Sequence, residues 1–229
     1  MVTLPVEGRW SLRAVADNEV RDVIAFLNRE PLVNVYLLSR LEEEQTAAAA
    51  QMFSVRHEGE IVMVASLATN VVLAAAPNER ESRIDSATAL LADRIITRML
   101  PVRAIISPAH LVEPLWDRLR ERLDPPTVIR MLQPIYAIRP RLDYPDLTTA
   151  RYSGVADLDK LVPACAAMHK EEVGIDPMLR DPAGYRERVR ELVERKRSII
   201  RIVNGEIASK CEFSAVTRNA VQLMGVWSN

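Results

Sequence analysis

Two adjacent carboxylates, Glu171 and Glu172, stand just before Val173-Gly174, at the end of a stretch with helical periodicity. Carboxylates so placed either carry protons for a reacting group or solvate a helix end. Glu212 lies in a strand-like run, where it faces the same cleft as that pair or points to solvent by simple alternation. His169, beside Lys170, reads as a base or as a lone surface histidine. Tyr185 falls on the inward face of a helix and reads as core. Cys165 and Cys211 are the only cysteines, and they fit apolar faces as buried, inert thiols. They form no CxxC pattern, and no HExxH or Cys/His cluster occurs, so no metal site is expected.

The elements that must position these groups come from a chain of 229 residues, 48% apolar and 27% charged, with a net charge of −1. That composition suits one or two globular domains. The balanced charge gives no basic field for nucleic acid or an anionic membrane, and no apolar run is long enough for a membrane span. Two cysteines and no leader-like start make a reducing, cytoplasmic setting the default. The basic-looking run 186–197 has no interleaved aromatic residues and reads as a salt-bridged helix face, with Glu191–Arg195 and Arg190–Glu194 as i,i+4 partners.

The proline- and charge-rich run 139–146 suits an exposed linker and divides the chain into 1–140 and 141–229. In the first part, 10–15 alternates like a half-buried strand, and Asp17 or Asn18 caps a helix bearing Val20, Val23, Ile24 and Leu27. Pro31 opens a second helical segment with Val33, Leu37, Leu38 and Leu41 inward, followed by the alanine tract 47–50. Strand-like runs follow at 52–56, 61–68 and 71–75, then a helix at 85–99, a strand at 103–106, a helix at 111–123 and a last strand at 128–138. The second part begins alike: a strand at 148–152, a helix after Asp157, another from Asp181-Pro182, a hairpin turning at Asn204-Gly205, and a strand at 221–227. It repeats the β-α-α-β-β-β opening of the first part.

This order resembles the GNAT superfamily of acetyl-CoA-dependent N-acetyltransferases, and in particular actinobacterial members with a GNAT-like N-terminal domain of unknown function. The stretches that carry the likeness are Ala25-Phe26-Leu27-Asn28-Arg29-Glu30-Pro31-Leu32-Val33-Asn34-Val35, Pro114-Leu115-Trp116, Leu132-Gln133-Pro134, Glu171-Glu172-Val173-Gly174 and the final run from Val221 to Asn229. The resemblance implies an α+β fold of two tandem domains, each a mostly antiparallel mixed sheet flanked by helices. It implies transfer of acetyl from acetyl-CoA to a primary amine on a small molecule or peptide, with Glu171, Glu172 or Glu212 taking the amine's proton. It also implies that a fourth strand, here matched by Val226, Trp227 and Ser228, pairs with the pantetheine arm and polarises the thioester carbonyl.

In that superfamily a loop R/Q-x-x-G-x-G/A follows at once and binds the diphosphate at a helix N-terminus. No such loop follows Ser228, so the expectation is a second domain cut short, with weak or no acetyl-CoA binding. In the first part, the loop after residue 75 carries Glu79, Glu81 and Asp85 and no glycine, so that domain reads as non-catalytic. The rival expectations are a small-ligand or partner-binding module, and a homo-oligomer that closes its unfinished sheet by strand exchange.

Overall fold

Strand β1 (Trp10–Ala14) alternates in burial, as an edge strand does. Strands β2 (Met52–His57), β3 (Glu60–Leu67) and β4 (Asn70–Ala75) are buried at almost every position, which demands cover on both faces of their sheet. The computed structural model supplies that cover; it describes residues 9–43, 51–130, 132–138 and 149–229. The alanine tract 47–50, the linker 139–146 and Thr148 lie outside the described residues. The chain divides into two units, Met1–Ala137 and Ile138–Asn229.

In the first unit the sheet order is β1-β2-β3-β4-β5, antiparallel except for the parallel pair of β4 with β5 (Ala104–Ile105). Helices α1 (Val20–Leu27) and α2 (Val35–Glu43) pack Val23, Phe26, Leu27, Leu37, Leu38 and Leu41 against Met52, Val64 and Ala74. Helices α3 (Glu81–Thr97) and α4 (Ala109–Leu119) cover the other face, setting Leu91, Ile95, Leu111 and Leu115 against Val55, Met63, Ala65 and Leu73. Residues of opposite parity on the strands thus feed two separate cores, giving three layers.

Three expectations fail here. Neither Asp17 nor Asn18 caps α1; they lie in a 3-10 turn, Asp17–Glu19, and α1 starts after Glu19 with no side-chain cap hydrogen bond. Val33 is 39% exposed, because α2 begins only at Val35. Residues 128–138 form no strand among the described residues, and Leu132 and Tyr136 are 91% and 87% exposed. The edge on offer, β5, is two residues long, and Pro125, Pro126 and Pro134 each lack the amide a ladder needs.

The second unit has the order β6-β7-β8-β9, all antiparallel: β6 (Ala150–Tyr152), β7 (Ser198–Val203), β8 (Glu206–Val216) and β9 (Val221–Ser228). Asn204 and Gly205 turn the β7–β8 hairpin with φ of 51° and 82°, the left-handed pair that a tight turn between twisted strands requires. Helix α5 (Leu158–Val173) follows a 3-10 turn at Val155–Asp157. Next come α6 (Pro177–Arg180), a helix the sequence reading missed, and α7 (Pro182–Glu194). Leu158, Leu161, Val162 and Cys165 of α5 meet Val189 and Val193 of α7 over Ile200 and Ile207. On α7 the expected Arg190–Glu194 pair gives way to Arg190–Glu187 at 3.2 Å, and Arg186 reaches Asp159 at 2.6 Å.

The α+β class with a mostly antiparallel mixed sheet flanked by helices is therefore as expected, and each unit opens in the order β-α-α-β-β-β apart from the added α6 and the 3-10 turns.

Candidate functional site

Strict alternation along β8 would put Ile207 and Lys210 on opposite faces, since they are three residues apart. Both are buried on the face toward α5, as is Glu212, and Ala215 is buried too. Register breaks account for this. Arg201 pairs with Ser209 and Ile202 with Ile207, so Ala208 is an extra residue. Phe213 pairs with Leu223 and Ala215 with Gln222, so Ser214 is another. Between them Lys210 pairs with Trp227 and Glu212 with Met224, leaving Gly225 and Val226 of β9 opposite Cys211 alone. This last bulge carries Gly225 at φ 61°.

The bulge sits over a buried polar cluster. The Lys210 side chain is fully buried and that of Glu212 is 8% exposed, yet the two form an ion pair at 2.6 Å. Lys210 Nζ also donates to the Gly225 carbonyl at 3.1 Å and to Met168 Sδ at 3.4 Å. Three donors therefore meet three acceptors. Cys165 Sγ donates to the same Glu212 oxygen at 3.2 Å. Burial pushes the Cys165 thiol up to about 12, so it is a donor and not a nucleophile near neutral pH. Burial likewise raises the Tyr185 phenol to about 12 and moves the Cys211 thiol upward. Tyr185 packs against the core and lies 6.0 Å, ring to ring, from His169.

Of the residues singled out in the sequence, Glu171 and Trp227 come together: Trp227 Nε1 donates to Glu171 Oε1 at 3.5 Å. Glu172 is exposed beside it at the end of α5, which closes at Gly174. Glu212 faces inward beneath the bulge, so the solvent-facing alternative is wrong for it. Val226 is exposed, and Ser228 pairs with Ser209. Asn229 N–H bonds to the Ala208 carbonyl at 3.0 Å, so ladder alternation turns the backbone groups of Ser228 to the outer edge of β9. No strand among the described residues pairs with that edge. Lys210 and Gly225 were missed by the sequence reading. The available signals were a glycine inside an apolar strand, which marks a bulge, and a Lys-x-Glu spacing that puts both charges on one face.

The first unit has a cleft of its own. β4 and β5 pair only at Asn70–Ala104 and Val71–Ile105; farther along, the Leu73 amide is taken by Ser107 Oγ at 2.7 Å. The cavity where the strands part is about 930 Å³, reaching from Ala74 past Pro77 to the N-terminus of α3. Its lining includes Glu30, Glu79, Glu81, Asp85 and Glu113, with His110 and no lysine or arginine. Glu79 is paired with Arg83 at 3.1 Å and Asp85 with Arg118 at 2.8 Å. Glu79 and Asp85 are thus neutralised, but Glu30, Glu81 and Glu113 leave the lining net negative, which repels a diphosphate, so this lining does not fit coenzyme A.

Residues 50–161, from β2 to the first turn of α5, match the family described as Domain of unknown function (DUF4081). No curated protein matches the chain. Among solved structures, an acetyltransferase from the GNAT family of Colwellia psychrerythraea is similar, at 11% identity and a TM-score of 0.42, over 94% of this chain and 76% of that one.

Proposed function

We propose that the chain is an N-acetyltransferase of GNAT ancestry, with two tandem GNAT-like domains. Its second unit receives the acyl-pantetheine end of acetyl-CoA along β9, and its first unit is non-catalytic. The observation that carries this reading is the open, bulged edge of β9. An extended ligand with two amides can add to such an edge as another strand would. Val226, Trp227 and Ser228 form that edge. In the transfer the neutral amine of the acceptor attacks the thioester carbonyl carbon, the C–N bond forms and the C–S bond breaks. The acceptor's ammonium first gives a proton to Glu171, which Trp227 orients, or to a water that Glu171 or Glu172 guides. As the C–S bond breaks, the nitrogen loses its second proton, and the leaving thiolate takes that proton, directly or through water, to give coenzyme A.

S-acetylpantetheine, which lacks the diphosphate, isolates this end of the cosubstrate. Titrated into the ¹⁵N-labelled full chain, it is expected to shift the amides of Val226, Trp227 and Ser228. Shifts confined to residues 74–85, or none at all, would overturn the reading.

The cleft of the first unit favours a second reading, a binding module for a small ligand other than a coenzyme A thioester. Shifts at residues 74–85 on addition of small amines, with β9 silent, would support that reading against the first.

A further inference from the structure

Lys210 is the least expected residue in the second unit: an ammonium with no solvent access, inside a sheet, under a helix. A buried ion pair is weak evidence for stability, because an apolar pair of equal volume fills the same space without losing hydration. What an apolar pair does not supply is a donor for the Gly225 carbonyl. The bulge turns that carbonyl out of the ladder and into the core, where Lys210 Nζ meets it at 3.1 Å. Glu212 holds the ammonium at 2.6 Å and is itself held by Cys165 at 3.2 Å. The packing is tight enough to fix the backbone. A methyl at position 225 would stand 3.0 Å from Glu212 Oε2 and 3.2 Å from Met168 Sδ, and Gly225 is in the left-handed region at φ 61°. The cluster and the bulge therefore specify one another.

A trans peptide holds its C=O and N–H on opposite sides. With the Gly225 carbonyl drawn toward α5, the Val226 N–H of the same peptide is aimed away from α5. We infer that Lys210, held by Glu212, is a positioning residue that sets the orientation of the Gly225–Val226 peptide and so turns the Val226 N–H out of the β8–β9 ladder, to the side of β9 away from α5, where the acyl carbonyl of a ligand lying along that strand can accept it. This rests on the acyl-thioester reading above. It gives Glu212 a role other than proton acceptor: the carboxylate acts through Lys210 on the backbone.

The test uses the full chain labelled with ¹³C and ¹⁵N. In the wild type, the Lys210 ammonium protons are expected to exchange slowly with water and to show a through-hydrogen-bond correlation to the Gly225 carbonyl carbon. A Lys210 ammonium that exchanges as fast as that of exposed Lys170 would overturn the inference without recourse to any variant. The double variant K210M/E212M removes both charges and keeps the volume, so no single charge is stranded. It is expected to retain the core methyl signals of Leu161, Val189 and Ile200, to shift the Gly225 carbonyl and Val226 amide, and to bind S-acetylpantetheine about tenfold more weakly or worse. A purely structural role would lower the melting temperature and leave that dissociation constant unchanged; that result, or unmoved Gly225 and Val226 signals, overturns the inference. If the wild type shows a slow Lys210 ammonium yet binds no S-acetylpantetheine, the acyl-thioester reading falls and the inference falls with it. The spectra show which of the two failed.

Discussion

Asp157 shows how a single side chain organises the start of the second unit. Its carboxylate takes two hydrogen bonds from Arg151, at 2.7 and 2.8 Å, and a third from the Gly154 amide at 2.7 Å. The Arg151 contact is the largest cause that draws its pKa down to about 2. A carboxyl held below its unfolded value adds stability that is complete above about pH 5, and that stability is lost as pH falls through about 2. Arg151 is half exposed, so the contribution is about 1 kcal/mol. Urea unfolding of wild type and D157N should differ by that amount at pH 7 and converge near pH 2. A constant gap across that range would show that the charge is not what matters. Cys165 gives a second outcome at this scale. With its thiol near 12, C211S protein should stay unlabelled by a disulfide reagent at pH 8 until urea opens it. Labelling at the rate of a free thiol would contradict the Cys165–Glu212 contact. The inertness of Cys165 was legible from its apolar face. The inward turn of Glu212 was not, because two extra residues in β8 and one in β9 reset the alternation that a sequence reading must assume.

At the scale of elements, some starts were legible and others were not: α2 begins at Val35 and not at Pro31, and α1 begins at Val20 with no cap from Asp17 or Asn18. Asp181-Pro182 announces α7, and the Asp181 side chain accepts the Gly184 amide at 2.9 Å. The same pair at Asp176-Pro177 begins α6, where Asp176 accepts the Met178 amide at 3.0 Å, and that start went unread because only four residues follow. Removing the cap in D181A should cost about 1 kcal/mol, with faster amide exchange confined to the first turn of α7. Unchanged exchange there would mean that Pro182 alone sets the helix start. Strands were read correctly wherever a long neighbour existed to pair with them. Residues 128–138 have the composition of a strand but only a two-residue edge to join, and pairing is a property of two segments, not one.

Across the whole chain, the two units differ in how much of their sheet is covered. In the first, α1 and α2 lie on one face and α3 and α4 on the other, so both parities of β2, β3 and β4 are buried. In the second, α5 and α7 cover one face; on the other, Tyr152 stacks edge-on against Phe213 at 6.5 Å, and Leu223 is about half exposed. Hydrophobic stabilisation scales with apolar area removed from water, and a two-layer unit of some 90 residues removes less per residue than a three-layer one of some 135. The buried Lys210–Glu212 pair widens the gap, since it occupies core volume without a hydrophobic gain. The second unit should therefore unfold first in urea. The tryptophans report on this separately, because Trp227 lies in the second unit and Trp10 and Trp116 in the first. With Trp227 replaced by phenylalanine, the low-urea step in fluorescence should vanish while the later one remains. Peptide-level hydrogen exchange should give the same order, β9 and β8 opening before β3. A single transition shared by all probes would show that the two units stabilise one another, and that each unit's own core does not set its stability.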